Sequence, residues 1–153
     1  MVIEGFIRNI SGGIGIWLRR IYYTHRFSEC GKNIRIDEGV IIQGKKNFKV
    51  GENVWIDKYC ILLAGQVNIP ENHCKRIPMN LETYNEGILE IGSNTHLGIG
   101  TIIQAHAGIK IGDNFTTSAG CKLYSLSNDV EECKYGTYIL TNTLVLDISS
   151  HQS

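Results

Sequence analysis

Proline is nearly missing from this chain: two in 153 residues, too few for disordered proline-rich linkers. Charge of one sign is missing too. Fifteen Lys and Arg residues balance fifteen Asp and Glu, so nothing suggests a nucleic-acid partner. There is no long apolar run either. Ile14-Gly15-Ile16-Trp17-Leu18 ends at Arg19-Arg20, far short of the roughly 20 residues that span a bilayer. It also lacks the small-residue cleavage pattern of a secretory signal. The five cysteines (Cys30, Cys60, Cys74, Cys121 and Cys133) are odd in number and show no CxxC spacing. They read as reduced thiols of a cytoplasmic protein. With 42% hydrophobic and 20% charged residues, the length suits one domain with one core.

What the chain does have is a repeat. Gly31-Lys32-Asn33 returns as Gly51-Glu52-Asn53, then as Gly92-Ser93-Asn94 and Gly112-Asp113-Asn114. The residue before each glycine is Cys30, Val50, Ile91 and Ile111. A fixed period near twenty residues is the mark of a solenoid, in which each copy is one coil laid on the last. Aligned on the glycine, Val40, Cys60, Thr101 and Cys121 form one column, and Ile42, Leu62, Ile103 and Leu123 a second. Cys60 and Cys121 then read as small core hydrophobes. The β-branched content of Ile34/Ile36, Val54/Ile56 and Ile102-Ile103 favours short strands. Apolar positions recur about every six residues, and two extra residues form a bulged corner at Gln104–Gly108. Residues 67–88 break the pattern and read as an inserted loop or irregular coil. After Leu123 the repeat fades, although Thr143-Leu144-Val145-Leu146 is strand-like.

Ahead of the repeat, residues 2–26 carry Ile3, Phe6, Ile7, Ile10, Ile14, Trp17, Leu18 and Ile21 at the spacing of one helical face. Ser11, Gly12, Gly13 and Gly15 point to a break between two short helices. One reading is a cap over the open end of the solenoid. The other is an amphipathic element, with Arg8, Arg19, Arg20 and Arg26, that touches a membrane surface. The expected organisation is a helical lead (1–29), a coil stack (30–125, with the insertion at about 67–88), and a loop with an incomplete further coil (126–153).

Units such as Ile91-Gly92-Ser93-Asn94-Thr95-His96 and Leu97-Gly98-Ile99-Gly100-Thr101-Ile102 resemble the hexapeptide repeat of the left-handed parallel β-helix acyltransferases. The run Ser118-Ala119-Gly120-Cys121-Lys122-Leu123-Tyr124-Ser125 is similar to the part of the bacterial sugar and polysaccharide O-acetyltransferases that leads into the active-site loop. The resemblance covers about residues 30–125. It implies an all-β solenoid, a left-handed parallel β-helix of about four coils with an N-terminal helical cap. It further implies a homotrimer with sites between neighbouring prisms, acetyl-CoA as acyl donor and a sugar or polysaccharide as acceptor. The expected setting is the cytoplasm, with the inner membrane surface as the alternative. A histidine would act as general base on an acceptor hydroxyl, and backbone amides at coil corners would hold the oxyanion. By the same resemblance, Tyr124, Asn128 and Asp129 are candidate substrate-binding residues; the residues that bind the cofactor are not assigned.

Two departures matter. Where the family carries Ser/Thr-X-X-His or Asn-His, this chain reads Ser125-Leu126-Ser127-Asn128-Asp129, and neither Asn128 nor Asp129 replaces an imidazole base. The C-terminal coils that carry much of the family's CoA site have no counterpart in these residues. A truncated or degenerate acyltransferase that serves as a non-catalytic assembly or glycan-binding subunit is therefore the alternative reading. Two histidines are candidates for the base: His106 in the bulged corner, and His151 after the last strand-like run, where Asp129 or Asp147 could orient it. His25 reads as a surface residue. His73 lies in the insertion, where it could contact substrate from a neighbour, and His96 reads as a solvated face residue. No metal is expected, because His96 and His106 fall on different faces without a close third ligand.

Overall fold

Four asparagines explain the period. Asn33, Asn53, Asn94 and Asn114 all sit in the left-handed region, with φ between 55° and 58°, which asparagine tolerates better than most residues with a Cβ. Their side chains form a continuous ladder. The amide of Asn33 donates to Asn53 at 3.0 Å, Asn53 to Asn94 at 3.1 Å, and Asn94 to Asn114 at 3.2 Å. The glycine two residues earlier is needed for close approach: a Cβ on Gly31 would lie 2.6 Å from the Gly51 carbonyl carbon in the next coil.

The computed structural model describes residues 2–66, 74–78, 87–129, 137–141 and 144–146. Among the described residues two helices, α1 (Val2–Arg8) and α2 (Gly12–Thr24), lead into fifteen short strands. In chain order these are β1 (Glu29–Cys30), β2 (Arg35–Ile36), β3 (Ile41–Gln43), β4 (Phe48–Val50), β5 (Trp55–Ile56) and β6 (Ile61–Ala64). Next come β7 (Cys74–Pro78), β8 (Leu89–Ile91), β9 (His96–Leu97), β10 (Ile102–Ala105), β11 (Ile109–Ile111) and β12 (Lys122–Tyr124). The last three are β13 (Leu126–Asp129), β14 (Thr137–Thr141) and β15 (Leu144–Leu146).

Three parallel sheets form the faces of a β-helix: β1-β4-β8-β11-β15, β2-β5-β9 and β3-β6-β10-β12. A bridge between His96 and Thr116 extends the second sheet by one coil. Each chain circuit climbs by one strand separation, about 4.8 Å. The inward positions stack like on like, with Ile36, Ile56 and Leu97 on one face, Ile42, Leu62 and Ile103 on another, and Phe48, Leu89 and Ile109 on the third. All nine are essentially inaccessible to water. Cys60 is fully buried in this core, and burial pushes its thiol up to about 11. Cys121, in the same column, is only half-buried.

β6 pairs directly with β10 and β4 directly with β8, so the segment between Ala64 and Leu89 leaves the stack without shifting its register. The chain leaves again after β12, at the corresponding corner, and rejoins at β15, which lies parallel on β11. The excursions meet outside the solenoid: β14 pairs antiparallel with β13 and parallel with β7. Where the repeat was expected to fade, the described residues thus form one side arm and one further strand of the stack.

α1 and α2 are broken at 9–11 and cover the first coil, but most of their large apolar residues take no part in it. The buried positions are Glu4, Ile7, Gly15, Arg19 and Tyr23. Arg19, 1% exposed, donates to the carbonyls of Ile7 and Arg8 in the last turn of α1, to that of Ile10 just beyond it, and to Ile36 on the edge strand β2. One guanidinium thereby satisfies backbone groups that the helix end and the sheet edge leave open. Gly39 N–H completes the seam by donating to Arg8 O at 3.0 Å. Behind it, Tyr23, Phe27 and Phe48 stack at 5.9 and 5.2 Å between ring centroids.

Candidate functional site

Three consecutive coils converge at the corner between the β3-β6-β10-β12 sheet and the β1-β4-β8-β11-β15 sheet. In the second coil, the chain leaves after β6 through Gly65 (φ 93°), and Gly65 N–H donates to Gly87 O at 2.7 Å where the chain returns. In the third coil the corner is tight: β10 ends at Ala105, His106 and Ala107 form the turn, and Gly108 N–H donates back to Ala105 O at 3.1 Å. In the fourth coil β12 ends at Tyr124, and buried Ser125 opens the outward run of β13.

Small residues make this corner possible. Ala105 and Ala107 are fully buried, so His106 between them is turned outward and is half-buried. Its Nδ1 lies 2.8 Å from Gly65 O. A carbonyl can only accept, so Nδ1 carries the hydrogen and the neutral ring keeps a lone pair at Nε2. From the coil above, Ser125 Oγ accepts from Ala107 N–H at 2.9 Å and donates to Gln104 O at 3.1 Å. The turn bearing His106 is therefore clamped from both neighbours, which fixes both tautomer and ring position. An imidazole held in this way can take a proton through Nε2.

The candidate residues distribute unevenly around this corner. Tyr124 is exposed and pairs in register with Gln104, two residues before His106. Asn128 and Asp129 lie on β13, opposite Ile139 and Tyr138 of β14, so the backbone carries them from the corner into the side arm; their side chains lie outside the described residues. His151 and His73 also lie outside the described residues. His25 is the exposed C-cap of α2, on the helical lead.

A second cluster escaped sequence reasoning. On the outer face of the β2-β5-β9 sheet, Trp55 and His96 stack at 4.4 Å between centroids, and the Arg35 guanidinium lies 4.4 Å from the Trp55 centroid. Asp37, almost fully buried, accepts from Trp55 Nε1 at 2.8 Å and from Arg35 Nε at 3.1 Å. Asp57 Oδ2 stands 3.6 Å from His96 Nε2. The alignment of Arg35, Trp55 and His96 in one outward column was the available signal, with Asp37 and Asp57 two residues further along their coils. Strand order places Arg35 and His96 on opposite sides of Trp55, so the platform is already filled. His96 and His106 lie on different faces, and among the described residues no group of three or more His, Cys, Asp or Glu could hold a metal.

A groove of about 690 Å³ runs along the β1-β4-β8-β11 face, lined by Glu29, Lys49, Glu90, Lys110, Asp113 and Asn114 among others. Four of its five charges are answered in pairs, Lys49 with Glu29 at 3.0 Å and Lys110 with Glu90 at 3.7 Å, and Asp113 accepts from Ser93 N–H at 2.6 Å. It lacks the single-sign field that would favour a phosphate.

No family model matches the sequence, and no curated protein matches it significantly. Solved structures similar to the chain include two mutant forms of AntD, an N-acyltransferase from Bacillus cereus, in complex with dTDP and coenzyme A. Their TM-scores are 0.61 and 0.60, at 21% and 18% identity, over 84% and 90% of this chain and 61% and 63% of theirs. AntD in complex with dTDP and 3-hydroxybutyryl-CoA gives a TM-score of 0.58 at 20% identity, over 90% of this chain and 63% of that one. The chain thus spans about three fifths of the length of AntD. At this identity the likeness is one of fold, and the fold is a left-handed parallel β-helix.

Proposed function

We propose that this chain belongs to an acyltransferase that moves an acyl group from acyl-CoA to a sugar. The observation that carries the reading is the corner: an outward imidazole, oriented through Nδ1, stands where two excursions leave a coil stack of the AntD type. The likeness to an N-acyltransferase in complex with coenzyme A and dTDP supports a CoA thioester as donor and a sugar or nucleotide-linked sugar as acceptor. Within that class, we read the donor as acetyl-CoA and the acceptor group as a hydroxyl of a sugar or surface polysaccharide.

A hydroxyl is a weak nucleophile at neutral pH and needs a base more than a free amine does. His106 Nε2 takes the hydroxyl proton as the oxygen attacks the thioester carbonyl. The new C–O bond forms, the C–S bond breaks, and the proton passes to the departing thiolate of CoA. His151 is the second candidate for this role. Tyr124, Asn128 and Asp129, on or leading into the arm, are proposed to contact the acceptor. A homotrimer would place each corner against a neighbouring prism.

The test is thioester consumption by the purified chain with acetyl-CoA and hydroxyl- or amino-sugar acceptors, read as free thiol. His106→Asn keeps a donor for Gly65 O but removes the base, and is expected to slow turnover about a hundredfold without a loss of melting temperature. His151→Ala is run beside it. If neither variant slows the reaction, the base assignment fails. If the folded chain consumes no thioester with any acceptor, the catalytic reading gives way to a glycan-binding or assembly subunit.

A further inference from the structure

Most of the large apolar side chains of the helical lead face outward. Its buried face carries Glu4, Ile7, Gly15, Arg19 and Tyr23, whereas Ile3, Phe6, Ile14, Trp17 and Ile21 face water, with Phe6 75%, Ile14 72% and Trp17 59% exposed. Ile14, Trp17 and Ile21 follow the i, i+3, i+7 spacing of one stripe on α2; Gly15, Arg19 and Tyr23 form the i, i+4, i+8 stripe roughly opposite. The apolar stripe therefore points away from the coils that α2 covers. Three large apolar side chains exposed along one stripe of α2, with Ile3 and Phe6 exposed on α1, mark a contact surface rather than an ordinary scatter of exposed residues.

Charge identifies what it contacts. Across residues 2–28 the only acidic residue is Glu4, which is buried and paired with Lys45 at 2.9 Å. Arg20 and Arg26 are exposed on the same segment. We infer that α1 and α2 form a membrane-surface anchor, lying in the plane of an anionic lipid leaflet with Phe6, Ile14 and Trp17 immersed and the arginines at the headgroups. At 13 residues, α2 is about 20 Å long, and no helix among the described residues is long and apolar enough to cross a membrane. A two-fold contact between copies would set this basic segment against itself with no exposed acid on it to answer the charge; anionic headgroups answer it, and a contact of any other symmetry is separated by the solution mass below. The inference stands independently of the acyl-transfer reading.

The test uses the whole chain and sedimentation with vesicles of phosphatidylcholine, alone or with about one third phosphatidylglycerol. Binding is expected to the anionic vesicles, to weaken as salt is raised, and to fall at least about a hundredfold in Phe6→Glu/Trp17→Glu. Both positions are exposed, so the variant should keep its melting temperature. In a Trp55→Phe background Trp17 is the remaining tryptophan, and its emission should shift to the blue on the anionic vesicles. Failure of the unaltered chain to bind at low salt, or equal binding by the double variant, would overturn the proposal. So would a fall in solution mass in the double variant without vesicle binding, which would assign the patch to a second copy.

Discussion

Replacing Asn94 separates the two forces that hold each coil corner. Asn94 sits at φ 56°, accepts from Asn53 at 3.1 Å and donates to Asn114 at 3.2 Å. Asn94→Ala loses both bonds, each worth about 0.5 kcal/mol at an exposed position. It also forces a Cβ without a compensating polar group into the left-handed region, at about 1–2 kcal/mol. The expected cost is about 2–3 kcal/mol. Asn94→Gly loses the same bonds but carries no left-handed penalty. Its added cost is the greater freedom of the unfolded chain, at most about 1 kcal/mol, so the total is about 1–2 kcal/mol. Equilibrium urea unfolding followed by circular dichroism measures both, provided each variant keeps the parental slope. Alanine should be the worse by about 1 kcal/mol. Equal destabilisation would refute the account: asparagine would then recur for its side-chain ladder alone, not for its tolerance of positive φ.

Two further outcomes probe the helical cap. Gly15→Ala should destabilise by about 2 kcal/mol or more, because its Cβ would run into Ile10 O and come within 2.9 Å of Arg19 Nη1. Gly13→Ala, with nothing within 4 Å, should stabilise by up to about 1 kcal/mol; thermal unfolding of the pair should show opposite signs. Burial alone would raise the Glu4 carboxyl, but hydrogen bonds from Lys45 and Tyr23 and the charges of Lys45 and Arg8 outweigh it, leaving it below its ordinary 4.5. A depressed carboxyl contributes stability above its unfolded value and loses it as pH falls through the folded one. The melting temperature should therefore drop more steeply below pH 4.5 in the parent than in Glu4→Gln.

The coil stack was legible because its determinants repeat in sequence. Asn33, Asn53, Asn94 and Asn114 carry the same backbone angle, and Ile42, Leu62 and Ile103 the same inward column. The corner at His106 was legible as two extra residues between small neighbours, but its partner Gly65 O lies 41 residues away and is a backbone atom with no mark in the sequence. The pairing of β7 with β14 was hidden for a related reason: it joins two non-repeating excursions, and periodicity says nothing about either. The polarity of α1 and α2 ran against composition. Burying Arg19 depends on the open carbonyls of Ile7, Ile10 and Ile36, and only Gly15 hinted that a close contact lay on that side.

The two excursions leave and rejoin the stack without displacing the strand pairings that bracket them: Ile102 still meets Ile61, and Leu144 meets Ile109. Length and composition can thus change in the arm at no cost to the register of the coils, since the corner is where the chain is free to lengthen. Scaffold and decoration are separable in structure: what the arm touches can change while the column of asparagines keeps the same count.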